Sequence, residues 1–307
     1  MTTSPLILDG DRQVVLYSTE RSHWLASLAR QALVAEVELT PKPGLADRRG
    51  SGAHTDLSLE LMRRSATVLE PYFDVMATCS QGRDLDSRLR SDLAVIGRYA
   101  ERAMYKATRG SNSHKGAIWT LGLLVAAAAR EEGQNAREIA AEAGAIARLP
   151  DRAIPEPISH GDIVRNRFGL TGARGEAASE FPHVIRLGLP MLRKRRGAKF
   201  KEQVCRLDAL LSLMVELDDT CVLYRGGTEA LDLVKSGARA VLMAGGYGSA
   251  NGRERMCELD RELNARHISP GGSADLLAAT IFLDAVERGQ SEVRKDQSEW
   301  EESDGKP

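Results

Sequence analysis

The chain has 307 residues, of which 42% are hydrophobic and 28% are charged, a composition that excludes disorder throughout. Its 42 basic and 43 acidic residues give a formal net charge of −1, so no overall positive field favours nucleic acid. There is no leader-like N-terminus, no apolar run near the roughly 20 residues of a membrane span, and no CxxC pair among the four cysteines. We therefore expect a cytoplasmic protein with reduced thiols that binds neither nucleic acid nor membranes.

Apolar residues recur at helical spacing along nearly the whole chain, without a convincing series of alternating strands. The predicted helices cover 20–38, 55 or 56 to 71, 85–108, 114–130, 135–148, 162–168, 182–193, 199–218, 228–244, 253–266 and 273–287. The sequence thus predicts an all-α fold, with one large helical domain at 19–288 and functional sites in the loops between helices. A proline-rich connector at 150–157 leaves a division into two lobes as an alternative. We expect residues 1–18 and the polar tail 289–307 to be flexible.

The loop between the first two helices is dense in charged side chains around several glycines. Its candidate site residues are Glu36, Lys42, Asp47, Arg48, Arg49 and His54. Carboxylates prefer hard cations and guanidinium groups match phosphate oxygens, so this mixture suits a metal ion together with phosphates. A solvated loop is the alternative interpretation.

Residues 110–116 lead into a nearly uninterrupted apolar helix. The free amides at a helix N-terminus attract anions, and Lys115 adds a positive charge where a phosphate could bind. The spacing is not that of a Walker A loop. His114 could equally be a cap or a packing residue.

Three later segments carry further candidates. Residues 172–176 contain Arg174 and Glu176 in a turn, which is a weak signal by itself. Asp218 and Asp219 are predicted at the end of a long helix, where the macrodipole disfavours carboxylates and so indicates a compensating cation. That cation could be Mg²⁺, or Arg225 beside Gly226, with an ordinary salt bridge as the alternative.

Residues 269–275 open the last predicted helix. Ser273 is the predicted N-cap, and Asp275 lies in the first turn, where the macrodipole favours an acid. Gly271 and Gly272 allow a ligand or another backbone to approach closely. Capping alone could also explain this segment.

In this order, the segments resemble the triphosphoribosyl-dephospho-coenzyme A synthase family. The resemblance is carried by TPKPGLADRRGSGAHTDL (40–57), NSHKGAIWTLGLL (112–124), GARGEA (172–177), LDDTCVLYRGG (217–227) and SPGGSADLLAATIFLD (269–284). It covers roughly residues 25–288. The wording DRRGSGAHTD, AIARLPDR and DDTCVL is closer to the malonate decarboxylase branch than to the citrate lyase branch.

The resemblance implies a helical enzyme that transfers the 5-triphosphoribosyl group of ATP to the 2'-hydroxyl of 3'-dephospho-coenzyme A and releases adenine. Mg²⁺ is the expected cofactor. The product would pass to a separate transferase that acts on the acyl carrier subunit, and a homodimer is the base-rate expectation. An all-α Mg-dependent nucleotide or ADP-ribosyl hydrolase and a non-catalytic helical adaptor are the alternatives.

The reaction requires a base for the attacking hydroxyl, a donor to adenine and a clamp for the triphosphate. The expected catalytic residues are Glu36, His114, Glu176, Asp218 and Asp219, and the expected Mg²⁺ ligands are Asp47, Asp219 and Asp275. The expected substrate-binding residues are Lys42, Arg48, Arg49, His54, Lys115, Arg174, Arg225, Gly226, Gly271, Gly272 and Ser273. Asp219→Asn is expected to abolish turnover while the thermal midpoint stays nearly unchanged.

Overall fold

The computed structural model describes residues 3–7, 13–151, 163–164 and 167–304, with side chains described over 18–151, 163–164 and 167–289. This part of the chain contains eleven α-helices that surround one large hydrophobic core, beside a second, small cluster of Val37, Ala46, Leu57 and Met62. They are α1 (Glu20–Glu38), α2 (Leu59–Ser80), α3 (Ser87–Ala107), α4 (Lys115–Arg130), α5 (Ala136–Arg148), α6 (Gly172–Ala178), α7 (Leu189–Gly197), α8 (Glu202–Glu216), α9 (Thr220–Met243), α10 (Ala250–Ala265) and α11 (Gly271–Asp304). The all-α prediction is confirmed.

The two ends of the chain differ from the predicted pattern. Strand β1 (Thr3–Ile7) pairs antiparallel with β2 (Gln13–Tyr17) in a two-stranded sheet that the sequence analysis did not predict. Each strand has only five residues, which is too short for an alternating pattern to be convincing. At the other end, α11 continues to Asp304, well beyond the predicted end at 287. Most of the predicted connector and part of the 162–168 helix lie outside the described residues.

Helix α1 has the predicted bounds because its ends carry clear local signals. The Thr19 side chain accepts a hydrogen bond from the backbone N–H of Ser22, and the Ser22 side chain bonds back to complete a capping box. Helix α2 starts later than predicted, after the N-cap Ser58, and it continues through Pro71. Its buried face continues beyond the proline with Phe73, so packing outweighs the lost backbone hydrogen bond.

Helix α4 is the central helix of the domain. It packs against α1, α2, α3, α5 and α11, and twelve of its residues from Ala117 to Ala129 are buried. The nearly uninterrupted apolar sequence of this helix is thus explained by its burial on most sides. Its N-terminal end, and not its apolar middle, therefore faces the loops that carry the charged motifs.

Three elements around the motifs begin at positions that the sequence did not predict. Helix α6 starts at Gly172, inside the predicted loop. Helix α9 starts at Thr220, and Gly227 kinks it with φ 67° and ψ −160°, a conformation that glycine alone adopts readily. Helix α11 starts at Gly271, two residues before the predicted cap Ser273.

Candidate functional site

Five ionisable side chains from four motifs meet near the ends of α1, α4, α9 and α11. They are Glu36, Lys42, His114, Asp219 and Asp275, and we call them the buried cluster. Four of them are at most 4% exposed, and Asp275 is partly buried. Burying charged groups is costly unless they are paired or serve a function, so their partners define what the cluster can do.

Glu36 and Lys42 form an ion pair inside the protein. The Lys42 Nζ donates to Glu36 Oε1, and the two side chains are 1% and 5% exposed for Lys42 and Glu36 respectively. Burial raises the pKa of Glu36, although the neighbouring Lys42 opposes the shift. The carboxylate is therefore a better proton acceptor than a solvated glutamate.

His114 is held by two serines. Its Nδ1 lies 2.8 Å from Ser65 Oγ, and Ser113 Oγ donates to the same oxygen at 2.7 Å. Since Ser65 already accepts that bond, its own proton is free for Nδ1, an arrangement that favours the ring proton on Nε2. Within the described part of the chain, the buried Nε2 has no hydrogen-bond partner. Burial and the positive charge of Lys42 lower the pKa of His114 to about 3, so the ring is neutral.

Asp219 joins the N-termini of two helices. As N-cap of α9 its Oδ1 accepts from the backbone N–H of Cys221 at 2.9 Å and of Gly272 at 3.2 Å. Its Oδ2 accepts from Ser273 N at 2.8 Å and Ser273 Oγ at 3.0 Å. Burial nevertheless raises the pKa of Asp219.

These contacts correct two predictions. Asp219 was expected at the disfavoured C-terminal end of a long helix, but α8 ends at Glu216 and Asp219 caps the next helix, where an acid is favoured. Ser273 was expected as an N-cap, but it lies inside the first turn of α11 and donates to Asp219.

Asp275 lies so close to the start of α4 that position 116 has room for glycine but not for a residue with a side chain. A Cβ atom on Gly116 would lie 2.0 Å from Asp275 Oδ2, and the backbone N–H of Ala117 donates to this carboxylate. Burial and the negative charges of Glu36 and Asp219 raise the pKa of Asp275 well above its usual range. Among the three carboxylates of the buried cluster, it is compensated least.

The predicted magnesium ligands are not brought together. In the part of the chain that the structure describes, no three His, Cys, Asp or Glu side chains are grouped to hold a metal ion. Asp47 instead accepts from the backbone N–H groups of Lys42 and Arg49 and from the Arg49 guanidinium. Asp219 is occupied by backbone donors, which leaves Asp275 as the one predicted ligand whose charge would still be stabilised by a cation.

His54 links the first motif to the last two. Its Nε2 lies 2.8 Å from Ser269 Oγ, and Arg225 Nη2 lies 3.1 Å from its Nδ1. Burial and the Arg225 charge lower the pKa of His54 to about 4. Arg225 and the adjoining Gly226 are exposed, so this group forms an outer edge near the start of α11.

Glu176 is engaged by a residue that the sequence analysis missed. The backbone N–H of His183 donates to Glu176 Oε1 at 3.0 Å, and His183 Nδ1 lies 2.6 Å from Oε2. The bond to Glu176 raises the pKa of His183, and Asp218 adds to the effect. Asp218 itself pairs with Lys235 Nζ at 2.5 Å. Glu176 and Asp218, both expected to be catalytic, are therefore engaged by His183 and Lys235, outside the buried cluster.

The other expected phosphate ligands lie at the surface or in ion pairs. Arg48 bonds to Glu38 at 2.5 Å in an open groove between α1 and α8. Lys115 Nζ pairs with Glu101 at 2.8 Å, and Arg174 is exposed on α6. Arg49, which pairs with Asp47, also bonds to Asp260 Oδ2 at 2.6 Å. The ion pairs with Asp47 and Asp260 raise the pKa of Arg49 although partial burial lowers it.

The fold and the buried cluster together define a helical enzyme, since a scaffold gains no stability from burying three carboxylates and a neutral histidine at helix ends. The family model for ATP:dephospho-CoA triphosphoribosyl transferase matches residues 22–294. The chain belongs to the ATP:dephospho-CoA triphosphoribosyl transferase family.

Similar proteins carry matching names. A probable 2-(5''-triphosphoribosyl)-3'-dephosphocoenzyme-A synthase of Pseudomonas aeruginosa strain UCBPP-PA14 is 56% identical over 265 residues, which cover 85% of this chain and 90% of that protein. Proteins of the same printed name from Azotobacter vinelandii and Pseudomonas fluorescens strain Pf0-1 are 52% and 51% identical, over 85% and 86% of this chain and 91% and 92% of theirs. No solved structure matches the chain. Across the described residues, every helix is too short or too polar to cross a membrane.

Proposed function

We propose that the protein is a 2-(5''-triphosphoribosyl)-3'-dephosphocoenzyme-A synthase. In this reaction the 2'-hydroxyl oxygen of 3'-dephospho-coenzyme A attacks C1' of the ATP ribose, and the N-glycosidic bond to adenine breaks. The hydroxyl loses a proton and adenine gains one, while the triphosphate stays on the transferred ribose. The observation that carries the proposal is the buried cluster, assembled from four motifs in a chain of this family.

Positive charge develops on the ribose as the bond to adenine breaks. A group of carboxylates stabilises such an oxocarbenium-like transition state electrostatically, most strongly where water is excluded. Glu36, Asp219 and Asp275 are close enough that the first two raise the pKa of the third. The buried cluster therefore supplies the negative potential that the reaction requires.

Glu36 is our candidate for the base that accepts the proton of the attacking hydroxyl. Its rival Glu176 is occupied by two hydrogen bonds from His183. Among the described side chains, Glu36 is bonded to Lys42 alone, which lies in the same cluster. Because burial raises the pKa of Glu36, the carboxylate accepts a proton more readily near neutral pH. Lys42 holds it in place.

His114 is our candidate for the hydrogen-bond donor to the departing adenine, whose added proton is, in the overall balance, the one that the attacking hydroxyl gives up. The neutral ring with its proton on Nε2 is a hydrogen-bond donor, and burial leaves that donor unsatisfied within the described residues. A nitrogen of adenine would satisfy it while the glycosidic bond breaks. Ser65 and Ser113 fix the tautomer and are positioning residues.

We propose that Mg²⁺ binds with ATP at the Asp275 end of the cluster. Asp275 carries a poorly compensated carboxylate, and Mg²⁺ is commonly held by one or two carboxylates together with substrate phosphates. When bound, the ion would neutralise charge on the triphosphate of ATP. Lys115, Arg174 and Arg225 are the side chains that we assign to the remaining phosphate charge.

We assign the product to malonate decarboxylase and not to citrate lyase, on the wording of residues 47–56, 145–152 and 218–223. The product would then pass, in the cytoplasm, to a separate transferase that acts on the acyl carrier subunit. The test is deletion of the gene, followed by mass measurement of the carrier subunits. Loss of the prosthetic group from the malonate decarboxylase carrier is expected, and its loss from a citrate lyase carrier alone would reverse the assignment.

The activity itself is tested by incubating the protein with ATP, Mg²⁺ and 3'-dephospho-coenzyme A, and following free adenine and the mass of the coenzyme product. We expect adenine and the triphosphoribosyl adduct in equal amounts, and only with the acceptor present. Adenine without the adduct would identify an ATP glycohydrolase. No adenine under any condition would contradict the proposal and favour a helical adaptor.

A further inference from the structure

Arg90, near the start of α3, is a buried arginine that belongs to none of the five motifs. Arg90 is only 7% exposed, and its guanidinium carbon lies 4.9 Å from the centre of the Trp119 ring. In the described part of the chain its buried Nε has no hydrogen-bond partner. Leaving a buried guanidinium N–H unsatisfied costs free energy, which a bound acceptor would recover.

Among the described residues, three charged side chains act on Arg90: Arg174 and Arg98, which are positive, and Asp151, which bonds to Arg98 Nη1 at 3.1 Å. Burial lowers the pKa of Arg90, and the two neighbouring arginines lower it further.

This group of arginines borders the buried cluster. Trp119 lies two residues after Ala117, whose backbone N–H binds Asp275. The indole Nε1 of Trp119 donates to the backbone oxygen of Ala173 at 3.2 Å, which places the ring beside Arg174 at the start of α6.

The same short helix contacts the other side of the cluster. A Cβ atom on Gly172, the first residue of α6, would lie 3.0 Å from Thr220 Cγ2, and Thr220 follows Asp219 directly. Helix α6 therefore carries Arg174 and also contacts Thr220, the neighbour of the buried carboxylate Asp219.

We propose that Arg90 and Arg174, with Trp119 as their platform, form a subsite for a diphosphate or triphosphate group. The inference rests on the proposed function, because both substrates of that reaction carry such a group: the triphosphate of ATP and the diphosphate of dephospho-coenzyme A. The planar fork of arginine donates two parallel hydrogen bonds to phosphate oxygens. The indole ring holds the Arg90 fork in place, which reduces the entropy lost on binding.

The experiment measures binding of inorganic tripolyphosphate and pyrophosphate by calorimetry, and the KM values for ATP and dephospho-coenzyme A, in the wild type and in Arg90→Gln. The matched control is Arg102→Gln, which removes an exposed arginine of the same helix stacked 5.3 Å from Tyr99. We expect Arg90→Gln to weaken polyphosphate binding at least about tenfold, and Arg102→Gln to leave it unchanged. The substrate whose KM rises with kcat conserved identifies which phosphate group binds there.

A wild type that binds neither polyphosphate, or an Arg90→Gln variant that binds both as the wild type does with unchanged KM values, would overturn the subsite. Arg90→Lys keeps the charge and loses the fork, so it serves if Arg90→Gln does not fold. The same weakened binding is expected for this variant, and unaltered binding with unaltered KM values would again overturn the proposal. The proposed function fails separately, if the wild type releases no adenine.

Discussion

At the scale of single residues, Asp275 carries the least compensated charge of the buried cluster. Its pKa is raised well above the usual range, so the folded chain binds this proton more tightly than the unfolded chain does. Stability is therefore lost as the pH rises from the ordinary Asp pKa of about 3.9 towards the raised value. The carboxylate is destabilising at neutral pH, which is common for functional groups.

Asp275→Asn is expected to raise the thermal midpoint at pH 7 and to abolish turnover. The amide oxygen can still accept from Ala117 N, and the size that Gly116 accommodates is unchanged. Thermal unfolding at pH 7 and near pH 4 checks this, because the gain should shrink towards the lower pH. Added Mg²⁺ with ATP should stabilise the wild type more than the variant. A variant that is less stable at pH 7 would contradict this account.

Asp219 has a different role from the one expected for it. It accepts four hydrogen bonds, of which the one from Cys221 caps α9 and the three from Gly272 and Ser273 join α9 to α11. In the asparagine variant, an amide nitrogen would replace one of the two accepting oxygens and would face hydrogen-bond donors. We now expect Asp219→Asn to lower the free energy of unfolding by about 1–3 kcal/mol, in addition to any loss of turnover. Urea denaturation measures this directly. A variant with unaltered stability and no turnover would restore the purely catalytic role.

At the scale of elements, the start of α4 depends on a glycine. Alanine at position 116 would bring its Cβ to 2.0 Å from Asp275 Oδ2 and force the carboxylate away from Ala117 N. Gly116→Ala is thus expected to abolish most of the turnover. The matched control is Gly97→Ala in α3, where the nearest atom would be Met76 Cε at 3.8 Å.

Gly97→Ala is expected to keep full activity and to raise the free energy of unfolding by about 0.5–1 kcal/mol, because alanine is the better helix former. Adenine release and thermal unfolding of the two variants check the pair. Equal activity in both would show that the contact between α4 and α11 does not matter for the reaction.

Local signals explain which elements the sequence predicts well. The capping box at Thr19 and the prolines after residue 38 fix both ends of α1. The predicted helix at 228–244 starts eight residues earlier in the structure, because the packing of Val222 and Leu223 extends α9 back to Thr220 across the kink at Gly227. Tertiary packing determines where such a helix starts, and the local sequence pattern does not predict that position.

At the scale of the whole molecule, the sequence predicted the segments of the site but not their pairing. The resemblance implies Glu36, His114, Asp219 and Asp275 as site residues, and the fold brings these four side chains into one cluster. It could not predict that Asp275 would meet Gly116, since that contact depends on how distant helices pack. His183 had no local signal at all, because only the folded chain brings it to Glu176.

The ion pair of Glu36 and Lys42 allows stability and activity to be separated. Glu36→Gln alone leaves Lys42 buried without its charge partner, which should cost about 3–5 kcal/mol. Glu36→Gln with Lys42→Met replaces the pair by neutral groups of similar volume and should recover most of that loss. A matched control is Asp208→Asn with Arg195→Met, which removes an ion pair between the buried Asp208 and the half-buried Arg195, joining α7 and α8 outside the cluster.

The measurement that tests the central claim most directly is therefore the rate of adenine release, with and without dephospho-coenzyme A, in these two double variants and the wild type. If transfer takes place at the buried cluster, the variant lacking Glu36 and Lys42 stays folded and loses at least about 10²-fold in turnover. The control lacking Asp208 and Arg195 keeps acceptor-dependent release. A folded Glu36→Gln/Lys42→Met protein that forms the adduct at the wild-type rate would place the reaction elsewhere and contradict the account.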